Sequence, residues 1–257
     1  MKVQHLYTDL ARYYDFLVSR SVNTEIELQF LEKILSQNKV KSVLDVGCGS
    51  GRHSIPLAQK NYQVLGMDNS AELLELARSK AHSLNIQWIY GDAATATLPI
   101  KVDAAICMWS TINEMPIDAV AENLCKLIKP KGLLILDNSY IADHIRGKPK
   151  DTRFSIDVPE WGVVDVNIVD KVKSEQRTRS VSYKIGHNII NDDITSEVLS
   201  EDELESVMNA HGFTLSQIFY DYQSHKPESP RRFQTVFINN PLRKGHSKPD
   251  REQDHSA

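Results

Sequence analysis

The chain has 257 residues, 41% of them hydrophobic, with a formal net charge of −4 and a pI near 6.1. That length suits one large α/β domain, or one domain with an insertion, and the lack of a basic surplus sets nucleic acid aside as a partner. Cys48, Cys107 and Cys125 show no C-x-x-C spacing. This argues against a disulfide framework and a cysteine metal site, so no metal is expected, and it fits a reducing cytoplasm. Met1 to Arg20 is charged and polar throughout, and no apolar run approaches the ~20 residues of a membrane span, so neither a signal peptide nor a membrane segment is expected.

Near the N-terminus, Leu10, Tyr13, Tyr14 and Leu17 recur at helical spacing. Thr24 and Glu27 then read as a T-x-x-E capping box for a helix whose Ile26, Phe30, Leu31, Ile34 and Leu35 share one apolar face. Ser42 to Val46 reads as a buried strand. It runs into Gly47-Cys48-Gly49-Ser50-Gly51 and a helix starting near Arg52. Glycines accept φ > 0 and let the backbone approach a ligand, and the free N–H groups of the helix start face whatever lies over the turn. Such a turn suits a nucleotide-like or carboxylate-bearing ligand at the end of a first strand. The dinucleotide pattern G-x-G-x-x-G fails here, because Arg52 stands where its third glycine belongs.

Gln63 to Met67 reads as a second strand with Asp68 at its tip, placed to accept hydrogen bonds from two ribose hydroxyls. Ser70 caps the next helix, with Leu73, Leu74, Ala77, Ala81 and Leu84 inward. Ile86 to Tyr90 is the third strand, followed by Gly91-Asp92-Ala93. Val102 to Met108 is the fourth, leading into Trp109-Ser110-Thr111-Ile112-Asn113-Glu114. Pro116 opens the following helix. Lys129-Pro130-Lys131-Gly132 reads as a turn before a fifth strand, Leu133 to Asp137. Strands alternating with helices predict a parallel, doubly wound sheet that binds ligands at the strand C-terminal ends. The glycine loop, Asp68, Asp92 and Trp109 all fall on that edge.

Ser139 to Ser200 breaks the alternation. Residues 154–158, 163–172 and 178–185 have strand character and predict an antiparallel insertion. Ser200 and Glu203 form an S-x-x-E capping box for a helix that Gly212 ends. Thr214 to Tyr222 and Phe233 to Asn239 read as the last two strands, one of them antiparallel. Residues 241–257 are charged and read as a disordered tail.

The pattern D-x-G-x-G-x-G from Asp45 to Gly51 resembles the first motif of class I S-adenosylmethionine (SAM)-dependent methyltransferases. The Y-D-x-L lead-in at Tyr14 and the run K-x-x-K-P-x-G ending at Gly132 look like the same family. The branch it resembles methylates amino groups of deoxysugars, small metabolites or peptide N-termini. Met108-Trp109-Ser110-Thr111 stands where DNA-adenine enzymes carry N-P-P-Y.

The resemblance implies an α/β fold, a doubly wound, mostly parallel seven-stranded sheet with a small antiparallel β insertion, and SAM as cofactor. It implies a lid over 1–22, a SAM-binding domain over 23–139 and 200–240, and a substrate cover over 140–199. It assigns cofactor contacts to Tyr14, Asp45, Gly47, Cys48, Gly49, Gly51, Arg52, Asp68, Asn69, Asp92, Ala93, Met108 and Trp109. Trp109, Asn113 and Arg231 are candidate substrate contacts. Tyr14, Glu114 and His53 are candidate acceptors for the proton of an amine. The partner is a small-molecule or peptide acceptor, and the oligomeric state is open, a homodimer included. O-methylation, an NAD-dependent oxidoreductase and a SAM-binding protein without catalysis stand as alternatives.

Overall fold

A computed structural model describes residues 4–19, 23–139, 149–173 and 176–241. The start of the expected insertion (140–148) and all of the expected tail beyond Pro241 lie outside the described residues. A seven-stranded sheet forms the frame. Its strands are β1 (Ser42–Val46), β2 (Gln63–Asp68), β3 (Ile86–Tyr90), β4 (Val102–Cys107), β5 (Ile128–Ser139), β10 (Phe213–Tyr220) and β11 (Arg232–Asn239), in the order β10-β11-β5-β4-β1-β2-β3. All pair in parallel except β11, which is antiparallel to both β5 and β10. The order turns back between β1 and β4, which leaves a crevice outside the strand ends.

Both sheet faces are covered. On one, Phe30, Leu31, Ile34 and Leu35 of α2 (Thr24–Gln37) and Leu57 of α3 (Ser54–Gln59) pack on Val43, Val64, Ala104, Ile106 and Ile135. Ala81 of α4 (Ala71–Ala81) joins them. On the other, Val120, Leu124 and Leu127 of α5 (Ile117–Leu127) and Leu204 and Met208 of α6 (Glu201–Ala210) pack on Leu44, Leu65, Cys107, Leu134 and Leu136. Alternate residues of each strand therefore serve opposite layers, as the period of two requires. Each fully buried Leu or Val contributes roughly 1.5–3 kcal/mol.

Several boundaries follow local chemistry. Ser70 caps α4 through the Leu73 N–H at 3.0 Å. Both hydrogen bonds of the Ser200–Glu203 capping box form, and Gly212 stands at φ +87° just past α6. Helix α2 departs from expectation: Asn23, not Thr24, is its cap, accepting from the Ile26 N–H, and Glu27 turns inward. Helix α3 starts at Ser54 rather than near Arg52. Lys129 to Gly132 is an irregularity inside β5, where pairing jumps from Ile128 to Leu133 while β4 advances only from Val102 to Ala104. Lys131 takes φ +67° within it.

A second, antiparallel sheet holds β6 (Lys150–Val158), β7 (Gly162–Lys173), β8 (Gln176–Ile185) and β9 (Asn188–Glu197). The sequence pattern missed β9, which joins β8 across a two-residue hairpin at Gly186-His187. Its Asp192-Asp193 breaks the apolar alternation. Yet Asp192 is buried, its carboxylate accepting the backbone N–H groups of His5 and Leu6 at 2.7 and 2.8 Å. The N-terminal segment is three short pieces, His5–Tyr7, Ala11–Tyr13 and α1 (Tyr14–Val18), rather than one helix. Leu10, Tyr13, Tyr14 and Leu17 all turn inward, forming one apolar cluster with Val164, Val166, Val181 and Tyr183 of the second sheet and Leu73 of α4. This cluster joins the two sheets at the crevice. Among the described residues, no helix is long and apolar enough to cross a membrane.

Candidate active site

The turn after β1 holds Gly47, Gly49 and Gly51 at φ +68°, +53° and +83°. At Gly47 a side chain is excluded twice, by the backbone and by Thr111 Cγ2, which would lie 2.3 Å from a Cβ. At Gly49 a Cβ would meet only ordinary van der Waals contacts, Leu73 Cδ1 at 3.9 Å and Tyr14 Cε1 at 4.0 Å, so there it is the backbone that asks for glycine. The N–H groups of Gly47 and Cys48 both donate to the Met67 carbonyl, tying the loop to β2.

Asp68 ends β2. Its carboxylate accepts the Gly49 N–H at 2.7 Å and the Ser70 N–H at 2.9 Å. Burial raises its carboxyl above the ordinary range, with those two donors pulling the other way. It sits between the glycine loop and the start of α4, beside Asn69. Tyr14 comes down from the N-terminal segment, its Cε1 4.0 Å from that same Gly49 Cβ position. Ser50 Oγ donates to Asp15 at 2.5 Å and Ser70 Oγ to the Tyr7 carbonyl at 2.5 Å, so the N-terminal segment is bonded to both loops. Burial pushes the Tyr14 phenol well above its ordinary value. It keeps its proton at neutral pH, which makes it a donor and removes it as a base.

Asp45 and His53 face away from the crevice. Asp45 is 1% exposed and accepts from Ser54 Oγ at 2.6 Å, fixing the loop to α3. His53 is 4% exposed, its Nε2 2.8 Å from Glu27. Glu27 also accepts from Arg52, whose guanidinium lies 5.9 Å from the Trp109 ring centroid. Burial alone would raise the Glu27 carboxyl; the His53 hydrogen bond and the Arg52 charge outweigh it and hold it below its ordinary range. Asp45, expected as a cofactor contact, spends its carboxylate on Ser54, and His53, expected as a proton acceptor, is engaged by Glu27. Asp92 is exposed and closes a turn by accepting the Ala94 N–H at 2.8 Å, with Ala93 buried beside it.

After buried Met108, Trp109 and Ser110 both adopt left-handed backbone, at φ +61° and +64°. A bulky residue there is an outlier of the kind found at functional sites. Asp137, wholly buried at the end of β5, holds it. It accepts the Trp109 N–H at 2.8 Å on its carboxylate and the Ser110 N–H at 2.7 Å on its carbonyl. Arg232 bonds the same carboxylate through Nε and Nη2, at 2.8 and 2.7 Å.

Beyond Trp109 a cavity of about 780 Å³, its open mouth included, lies between the N-terminal segment, the β4 and β5 exits and the second sheet. Its charged lining is Glu114, Arg177, Arg179 and Arg232. Glu114 is accessible to solvent yet surrounded by protein, and it accepts from Tyr7 Oη at 3.5 Å. Burial raises its carboxyl to about 7, against the opposing pull of Arg179, Tyr7 and Arg177. Arg231 does not line the cavity. Its side chain is exposed and its N–H donates to Asp221, so the arginine at this site is its neighbour Arg232. Asn113 is buried off the cavity with its Oδ1 unpartnered among the described residues.

Tyr7, Asp137, Arg177 and Arg179 were missed by sequence reasoning. The only signal for the arginines was their i, i+2 spacing on β8, which puts both on one face of the strand.

A family model described as "Methyltransferase domain" matches residues 43–132, from β1 to the β5 irregularity. A protein of Geobacillus sp. (strain WCH70) whose name assigns it to the methyltransferases is 25% identical over 240 residues, covering 86% of this chain and 94% of its own. The chain spans 60% of the length of carboxy-S-adenosyl-L-methionine synthase of Campylobacter jejuni (strain 81-176), 30% identical over 144 residues. In fold it is similar to an S-adenosylmethionine-dependent methyltransferase from Clostridium acetobutylicum ATCC 824, with TM-score 0.75 and 17% identity over 91% of this chain and 99% of that one. It is also similar to the sugar N-methyltransferase KedS8 from Streptoalloteichus sp., with TM-score 0.72 and 15% identity over 92% and 94%. Residues 43–132 thus match a methyltransferase domain, and the fold is that of solved SAM-dependent methyltransferases.

Proposed function

We propose that the protein transfers a methyl group to an amine of a small acceptor, with Glu114 taking the proton. The observation that carries this is the Glu114 carboxylate on the cavity wall beside the strained Trp109-Ser110 turn, where the surrounding protein pushes its carboxyl up to about 7. An amine needs a free lone pair to react, and an acceptor poised near the working pH is the most efficient proton acceptor. SAM, the proposed cofactor, would when bound supply a methyl group on a positively charged sulfur.

The residues fit that cofactor. In this reading the glycine loop takes its methionine end, Asp68 its ribose, and Asp92 and Ala93 its adenine. Cys48, Gly51, Asn69 and Met108 complete the loops around it. Tyr14, which keeps its proton, donates to it, and Trp109 borders the methyl group. The N-terminal segment acts as a lid over 1–22, and the second sheet covers the acceptor. Together they exclude water and hold the two reactants aligned, which is worth ~7–11 kcal/mol of barrier.

The test is a pH profile of kcat/KM. The active form of Glu114 is the ionised one, so the rate rises with pH through about 7. Glu114→Gln removes that limb and lowers kcat by roughly 10²–10⁴, leaving only the limb of the acceptor's own amine. An unchanged limb and near-native kcat in the variant would remove Glu114 from the mechanism. The same shift has a stability consequence of opposite sense. The protonated form favours the fold fully below pH 4.5, and that contribution is lost as pH rises through about 7.

A further inference from the structure

Arg177 and Arg179 both fork onto one carboxylate. Arg177 Nε and Nη2 donate to Asp170 at 3.0 and 2.9 Å, and Arg179 Nε and Nη2 at 2.9 and 3.1 Å. Burial would raise the Asp170 carboxyl, but the two arginines hold it at about 2. Two guanidiniums against one carboxylate leave one net positive charge. The group is largely buried: the side chains are 17%, 30% and 16% exposed for Arg177, Arg179 and Asp170. Arg177 Nη1 reaches Ser139 at 3.5 Å, while Arg179 Nη1 has no partner among the described residues. Both arginines line the cavity. Its third arginine, Arg232, is already matched by Asp137. The remaining charged group on the wall is Glu114. The wall also carries an apolar stretch of Leu17, Val166, Ile168, Val181 and Ile194, beside the hydroxyls of Ser110, Ser139 and Ser196.

We propose that the acceptor is an amphoteric molecule: an amine that also carries a carboxylate or phosphonate-type oxyanion and an apolar body. Its anionic group sits on the Arg177–Arg179 pair and its amine faces Glu114. The proposal rests on the methyl-transfer reading and names its substrate class. An oxyanion supplies the missing negative charge and takes the open Arg179 donor, whose planar fork suits it. The apolar stretch favours an acceptor with a hydrocarbon side chain. An amine without an anionic group leaves the Arg179 Nη1 donor open.

The test is calorimetric titration with L-leucine and L-leucinamide, with and without S-adenosylhomocysteine, alongside alanine and 1-aminoethylphosphonate. Leucine should bind roughly tenfold to a hundredfold more tightly than its amide. Arg179→Ala should abolish that preference, and Arg179→Lys should retain part of it, having the charge without the fork. SAM affinity in both variants should stay within a few-fold of the parent, which shows that they fold. The alanine–phosphonate pair tells which oxyanion the site takes. Equal binding of acid and amide, no heat from any acid at millimolar concentration, or a preference that survives Arg179→Ala would each overturn the proposal. A parent protein that binds leucine over leucinamide but not SAM would uphold the arginine site and sink the methyl-transfer reading instead.

Discussion

Asp68→Ala should lower SAM affinity by two to three orders of magnitude. The carboxylate works on both sides of the crevice. It orients the loop by accepting the Gly49 and Ser70 N–H groups, and in the proposed site its remaining lone pairs take the ribose hydroxyls. A hydrogen bond to a charged group is worth ~1.5–3 kcal/mol, and each 1.4 kcal/mol is about tenfold in affinity. Losing two such bonds, with a loosened loop, gives the expected size. Asp68→Asn keeps the shape and one acceptor oxygen, so its loss should be smaller. Titration of both variants with SAM checks this. An alanine variant within a few-fold of the parent would show that the ribose is held elsewhere.

Asp137→Ala should be the most damaging change to the fold among the site residues. It removes the partner of Arg232, and it strips acceptors from Gln234, Tyr222 and the Trp109 N–H. Breaking a buried pair by deleting one member costs about 3–5 kcal/mol, which in a protein of this size lowers Tm by on the order of 10 °C. The functional loss has a separate cause. The Trp109 N–H loses its carboxylate acceptor, leaving only the Ser110 side of the turn tied to the Asp137 carbonyl, and a displacement of ~1 Å near the reacting atoms costs about a hundredfold in rate. Thermal denaturation and steady-state kinetics together test the claim. A Tm within about 2 °C of the parent, with kcat preserved, would show that the turn is held by its own local packing.

What could be read from the sequence was what local pattern encodes. The strand-glycine-helix unit, Asp68 at the tip of β2, and the Ser70 and Ser200 caps depend on residues a few positions apart, and all are present. So is the seven-stranded sheet with one antiparallel strand. Local pattern misled where a side chain's partner is distant. Glu27 looked like half of a capping box because Thr24 stands three residues before it. Its real partners are Arg52 and His53, across the helix–loop boundary. Asp192 hid β9 because a charged residue in a strand pattern argues against burial, unless backbone donors from residues 5 and 6 meet it. Arg177 and Arg179 carried no motif. Only the cross-strand register that sets Arg179 opposite Asp170 makes them a pair. Arg231 was the expected substrate contact, but its neighbour Arg232 is the one that faces Asp137, a residue almost a hundred positions earlier.

The most direct test of the account is calorimetric titration of the purified protein with SAM and, separately, with NAD. The account predicts micromolar, one-to-one SAM binding and no heat from NAD. It also predicts that the SAM-loaded protein converts an amine acceptor to its methylated product with release of S-adenosylhomocysteine. A protein that folds, as judged by a cooperative thermal transition, yet takes up no SAM would contradict it. The glycine loop would then be a structural turn, and the cavity beyond Trp109 would belong to other chemistry.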